Sequence, residues 1–258
     1  MAQASVTSAF GALLKEWRGI RRMSQLDLSN AADVSARHIS FLESGRSKPS
    51  QPMATHLAIA LDLPRAERNR LLAAAGFAPV WRTHELDEAA MAAVHAALAW
   101  TLERHNPYPA AVLDRHWNVV EQNAASSALL AALGVEGEIN FLDQMTGEGR
   151  MRQIIDNWSS VGGYLLARLR TESAAVGGDP VLDAAIDKLV QDPEIELGDV
   201  DYPPVVTADF RIGDACLSLF STIAQFGTAE DLALAELRIE LFFPADEPSR
   251  EFLELLSQ

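Results

Sequence analysis

Apolar residues recur at helical spacing through the first hundred residues, and the period then shortens to the alternation of strands. Two short helical patterns meet within residues 24–48 (SQLDLSNAADVSARHISFLESGRSK), at the break Ala32-Asp33-Val34-Ser35. Leu26, Leu28 and Ala31 supply apolar positions of the first helix, and Ile39 and Leu42 those of the second. Ser24 and Ser35 stand at N-cap positions, and Gly45 follows as a C-terminal stop. Helices joined this tightly form a helix-turn-helix, whose second helix fits a DNA major groove. Pro52 to Leu61 reads as a fourth helix, and Pro64 opens a fifth that Gly76 ends. Residues 77–88 hold a proline and a charge switch and read as a linker. A helix over Asp87–Arg104 follows, with Met91, Val94, Leu98 and Leu102 on one face.

After Asn106-Pro107, residues 108–114 and 118–122 read as strands around a turn at Arg115-His116-Trp117. Asn123 opens a helix, and residues 140–195 are mostly helical, with Ile154, Trp158, Val161, Leu165 and Leu169 on one stripe. Three strands follow at 205–213, 215–226 and 233–244, and the chain closes on a short helix, EPSREFLELL. Two strands, a helical insert and three antiparallel strands is the order of a PAS-like domain. The expected fold is therefore multidomain, α followed by α+β. Residues 1–80 form a five-helix domain, 81–105 a linker and connecting helix, and 106–258 an antiparallel sheet with a helical cover.

The first part resembles the phage-repressor (Xre) helix-turn-helix family, a lambda-repressor-like fold, over roughly residues 10–76. The residues that carry the likeness are Gln25, Val34-Ser35, Ile39, Glu43-Ser44-Gly45 and Lys48-Pro49-Ser50. Asp33 stands where that family usually has Gly, and Asp tolerates a left-handed turn better than most residues. The resemblance implies that Ser35 caps the recognition helix and that Ala36, Arg37, Ser40 and Phe41 face base edges. Arg37 is the long donor among them and suits a bidentate contact to guanine, worth roughly 1–3 kcal/mol of discrimination. Gln25, Arg46 and Lys48 fall at phosphate-contact positions. Arg18 and Glu43 match the family's internal ion pair, a structural role.

The run NPYPAAVLDRHWNVVEQNAASSALL resembles the start of the ligand-binding domain of MmyB-like transcription regulators, through Pro109, Val112, Leu113, Asp114, Trp117, Val119 and Asn123. Trp158 with Leu169-Arg170 resembles a later stretch of that family. The likeness implies a PAS-like sheet whose helical cover encloses a pocket for an apolar or acyl, fatty-acid-like molecule. Ile154, Trp158 and Leu165 of the helices, and Phe210, Leu217, Leu219, Ile223, Leu241 and Phe243 of the strands, are the candidate lining; a packed core is the alternative for each. Arg150, Arg152, Arg168 and Arg170 are candidates for an acidic head group, with exposed charge balance as the alternative.

A net charge of −15 is unexpected for a DNA binder, but it is unevenly spread. Residues 1–82 hold 11 Lys and Arg against 6 Asp and Glu, a net +5; residues 83–258 hold 10 against 30, a net −20. A basic nucleic-acid module joined to a different domain has this asymmetry. The single Cys216 excludes an internal disulfide and a cysteine zinc site, and its apolar strand points to a buried thiol. No apolar run reaches transmembrane length, and the first residues show no secretion signal, so a cytoplasmic location is expected. Nucleophile elbow, phosphate loop and dinucleotide fingerprint are missing, and the six histidines form no metal pair, so neither enzyme activity nor a cofactor is expected. The expectation is a one-component bacterial transcription regulator, a homodimer on operator double-stranded DNA, controlled by a small ligand. The rival readings are a second domain that serves only dimerisation or a protein partner, and an enzyme with an attached DNA-binding domain.

Overall fold

The computed structural model describes residues 9–81, 92–195, 203–213, 215–226, 234 and 236–257, and the chain divides into two units between residues 81 and 92. The first unit contains α1 (Ala9–Ile20), α2 (Gln25–Ala31), α3 (Ala36–Glu43), α4 (Gln51–Ala60) and α5 (Arg65–Ala74). Serines set the starts of three of them. The hydroxyls of Ser24, Ser35 and Ser50 accept from the backbone amides of Asp27, His38 and Met53, and Asp27 returns a bond to the Ser24 amide in a capping box. Phe10, Leu14, Trp17, Leu28, Ile39, Leu42 and Leu57 fill the core. Leu26 and Ala31, expected to face inward, are exposed, and Leu28 and Ala32 are the buried pair. The spacing explains it: positions four apart share a helix face, whereas Leu26 lies two residues from Leu28 and points away.

α1 crosses α3 at Gly11, where an added Cβ would stand 2.5 Å from the Leu42 carbonyl oxygen and 2.6 Å from that of Glu43. Only a glycine allows that approach.

The second unit contains α6 (Ala92–His105), β1 (Ala110–Leu113), β2 (Val119–Gln122), α7 (Ala124–Ala132), α8 (Phe141–Met145), α9 (Arg150–Ile154), α10 (Trp158–Ala175), α11 (Pro180–Val190), β3 (Ala208–Ile212), β4 (Ala215–Ala224), β5 (Arg238–Pro244) and α12 (Glu247–Leu256). The five strands form an antiparallel sheet in the order β2-β1-β5-β4-β3, the PAS-like arrangement expected from the order of elements. Ala110 and Val112 of β1 face one side, where Leu98 and Leu102 of α6 pack on them with Leu237 and Ile239. Within 81–105, expected to connect the domains, the described helix thus belongs to the sheet's own core. Ala111 and Leu113 face the other side, toward α7–α11. Asn123 ties these layers together: its carbonyl accepts from the amides of Ala110 and Ser126, and its amide donates to Leu102 and Tyr108 carbonyls.

Cys216 is exposed on β4, not buried as its apolar strand suggested, because alternation turns it outward while Leu217 and Leu219 turn inward. Local desolvation and the carboxylates of Asp209, Asp156 and Asp246 push its thiol pKa up, which leaves it weakly reactive. Among the described residues no helix is long and apolar enough to cross a membrane.

The crossing of α1 and α3 is directly testable. Gly11→Ala adds helix propensity worth about 1 kcal/mol, but the Cβ drives α1 off α3, a clash of backbone atoms that costs more. Hydrogen exchange of peptides from α1 and α3 should accelerate in this variant; unchanged protection would contradict the close packing.

Candidate functional site: a recognition helix and an apolar cavity

The helix-turn-helix is braced from behind. Arg18 donates from Nε to Glu43 Oε1 at 2.7 Å and from Nη2 to Oε2 at 3.1 Å, and its Nη1 reaches the Met23 carbonyl at 2.7 Å. Gln25 joins the brace, its Nε2 donating to Glu43 Oε2 at 2.8 Å. Its amide, read from the sequence as a phosphate contact, is therefore turned inward. Asp33 takes the left-handed turn at φ 47°, and Gly45 ends α3 at φ 73°.

On the outer side of α3, Arg37 is exposed, and Ala36, Ser40 and Phe41 are half-buried. The Phe41 ring is flanked by two guanidinium groups, Arg37 at 5.2 Å and Arg46 at 5.9 Å from its centre. Such stacking holds both cations over one surface at little cost. Ser35 and Lys48 are exposed beside them. The structure thus brings Arg37, Phe41 and Arg46 together; the stacking of Phe41 was not visible as spacing. His38 has no metal partners, and no metal-holding cluster of His, Cys, Asp and Glu occurs among the described residues.

The second unit contains a cavity between the sheet and its helical cover. Leu129 and Leu130 of α7 with Leu133 at its C-cap, Phe141 and Met145 of α8, and Val161 and Leu165 of α10 form its helical wall. Phe210, Leu219 and Phe242 form its floor on the sheet. It holds about 930 Å³ of empty space counted to its open mouth, and the centres of water-sized spheres have about 130 Å³ to move in. One water needs roughly 10–15 Å³ on that measure, so a small organic molecule fits where a closely packed core would leave no room.

Only part of the expected lining is found there. Leu165, Phe210 and Leu219 border the cavity. Leu217 is buried in the surrounding core. Ile154 and Trp158 pack beside it as core, and Trp158 donates its indole N–H to Asp192 at 3.0 Å. On β5 the expectation is out of phase. Glu240 and Phe242 face the cavity, while Leu241 packs on the α6 side. Phe243 stacks on Phe220 at 5.4 Å and meets His105 edge-on at 4.9 Å, and is not among the residues that line the cavity. One face of β5 carries Arg238, Glu240 and Phe242 and the other Ile239, Leu241 and Phe243, so the apolar alternation marked the face that packs on α6 and not the one toward the cavity. Ile223 pairs with Glu240 on β4 but lies 45% exposed near the strand's end.

The polar end of the cavity was largely missed. Trp117, Arg168 and Glu240 line it. Arg168 donates to Glu240 at 2.6 Å and to Glu172 at 2.9 Å, and its guanidinium sits 4.3 Å from the Trp117 ring centre. Arg238 lies 4.5 Å from the same ring and donates to Glu172 at 2.7 Å, while the Trp117 indole donates to Glu172 at 3.1 Å. Burial works against a charged Glu172, yet the bonds from Arg238 and Arg168 outweigh it and hold the carboxyl below its ordinary range. Trp117 itself has φ 68°, a costly conformation for a bulky residue. Asp114 enforces it by accepting from the amides of His116 at 2.8 Å and Asn118 at 3.0 Å. The Asp-x-x-Trp motif was readable in the sequence; its purpose, aiming an indole at the cavity, was not.

Of the four arginines considered for a head group, Arg168 alone reaches the cavity. Arg152 is bound to Asp192 at 2.6 and 3.1 Å and to Glu194 at 2.9 Å. Arg150 donates to the Leu133 carbonyl, and Arg170 is exposed.

A braced recognition helix in one unit and a PAS-like sheet with an internal cavity in the other define a DNA-binding transcription regulator with a ligand-binding domain. A family model of the MmyB-like transcription regulator ligand binding domain matches residues 94–256, and a model of a helix-turn-helix domain matches residues 9–71. The first match spans more than half of the chain, and the chain belongs to the MmyB-like transcription regulators. A search of curated proteins finds no match.

The Glu172 cluster predicts a pH dependence. A carboxyl whose pKa is lowered by folding stabilises the fold above its ordinary value of 4.5 and loses that contribution as pH falls through the folded value. Glu172→Gln should cost about 2–3 kcal/mol at neutral pH and flatten the acid dependence, read as hydrogen exchange of α10 and β5 peptides. An unchanged acid profile would show that Glu172 does not stabilise the cluster.

Proposed function

We propose that this chain is a one-component regulator in which α3 reads operator DNA and the cavity takes a small apolar or acyl ligand that sets the affinity for that DNA. The observation that carries the proposal is the apolar cavity, with Trp117, Arg168 and Glu240 at one end, in a chain whose other unit is a helix-turn-helix. Apolar walls with a few convergent polar groups are the usual make-up of a ligand site. The uneven charge supports the division of labour. The basic first unit attracts phosphates, and the acidic second part repels them.

On DNA the protein acts as a homodimer, its two recognition helices about 34 Å apart to meet successive major grooves. Arg37 reads a base edge, and Arg46 and Lys48 hold phosphates. The ligand acts by binding one arrangement of the dimer more tightly than another, and it shifts the equilibrium by that difference alone. The protein works in the cytoplasm and needs no catalytic step.

Two measurements test this reading. With an operator selected from random DNA, Arg37→Ala should weaken binding by about 1–3 kcal/mol and relax preference at one base pair. Lys48→Ala should weaken all sequences alike and lower the salt slope by about one. An Arg37→Ala protein with unchanged affinity and preference would overturn the base-reading role. Native mass spectrometry of the purified protein should show a bound acyl compound, recoverable on denaturation. An empty, stable protein that no lipid stabilises would point instead to a second unit that serves dimerisation or a protein partner.

A further inference from the structure

Phe41 is the large apolar residue of α3 that the core does not take. Ile39 and Leu42 of the same helix are buried, whereas Phe41 stays half-buried on the outer side. Its ring is engaged there by two cations. The Arg37 guanidinium lies over it at 5.2 Å from the ring centre and that of Arg46 at 5.9 Å. Arg37 and Phe41 stand at positions i and i+4 of α3 and so share one helix face. An exposed phenylalanine tied to both arginines is carried toward DNA with them.

The distance fixes what the ring can meet. An arginine that binds O6 and N7 of guanine through two donors lies in the plane of that base. Successive bases of a strand are stacked about 3.4 Å apart along the axis. A ring centred 5.2 Å from the guanidinium carbon therefore stands beyond the plane of the bound guanine, at the level of a neighbouring base pair.

Chemistry then selects that neighbour. Adenine, guanine and cytosine turn donors or acceptors toward the major groove and carry no methyl group there. A phenyl ring pressed on them would exclude water and offer no bond in return. Thymine presents a methyl group, whose burial against the ring is favourable. Ser40, on the same side of α3, has a hydroxyl that can bond to any base edge, so it adds little discrimination of its own.

We propose that Phe41 reads a thymine methyl in the base pair adjoining the guanine bound by Arg37. The operator then carries thymine beside guanine at this point, and 5-methylcytosine in place of that thymine is bound better than cytosine. The inference rests on α3 reading DNA through Arg37 and adds a second position at which the protein discriminates.

The test uses the full chain, the selected operator and chemically altered copies of it, with affinity read by fluorescence anisotropy. Uracil in place of the adjoining thymine removes the methyl group alone. It should weaken binding about fourfold, the worth of one buried methyl. With cytosine at the same position, methylation of its C5 should tighten binding about fourfold. Phe41→Ser removes the ring, and this variant should bind thymine and uracil operators alike. The uracil comparison in the parent protein stands even where the variant fails to fold. A selected operator without thymine beside the guanine, or equal affinity of the parent for thymine and uracil DNA, would overturn the inference. A uracil penalty that persists in Phe41→Ser would assign the methyl to another side chain and overturn the role of Phe41. Arg37→Ala with an unchanged guanine preference would instead sink the base-reading proposal, and this inference with it.

Discussion

The second unit depends on the cluster in which Glu172 accepts from Arg168, Arg238 and the Trp117 indole. It joins α10, β5 and the turn after β1, three segments far apart in sequence, at one end of the cavity. Apolar packing alone would close such a space, because a void forfeits contact on every side. Charged side chains that must keep their partners cannot collapse into it. The cluster thus sets the polar limit of the cavity, while leucines and phenylalanines set its walls. The strained Trp117 is the cost of placing an indole at that junction, and the bonds to Asp114 offset it.

The first unit uses the same device for a different end. Arg18, Gln25 and Glu43 form a network behind α3, so that helix is held by bonds on its inner side and keeps Arg37 and Arg46 free to work on its outer side. A brace of this kind fixes geometry more than it adds stability, since two partly buried charges lose much of their attraction to desolvation. For DNA recognition geometry is what counts, because a bidentate contact to a base tolerates little misplacement.

The architecture was legible in the sequence because each device that sets it is local. Ser24 and Ser35 announce helix starts, Asp33 and Gly45 the turns, and the switch of period after residue 106 the sheet. The order of elements then sufficed for an antiparallel, PAS-like sheet with a helical cover. The Arg18–Glu43 pair was legible too, through the family resemblance. The cavity lining was legible only in part. Leu165, Phe210 and Leu219 were found, but the phase of β5 was lost because its apolar alternation marks the face that packs on α6. The polar cluster was harder still. Its members are scattered from residue 117 to residue 240, and a Trp between two arginines leaves no periodic trace. The bond from Gln25 to Glu43 was not legible for a related reason: the two residues lie 18 positions apart.

In the proposed mechanism, occupancy of the cavity governs DNA binding. The most direct measurement is the affinity of the full protein for a selected operator, by fluorescence anisotropy, with the cavity filled and after the bound compound has been extracted and the protein refolded. The mechanism predicts that affinity changes by about tenfold or more, the lower range of typical coupling between sites, and returns when the compound is added back. Equal affinity in both states, with occupancy verified by mass spectrometry, would contradict it.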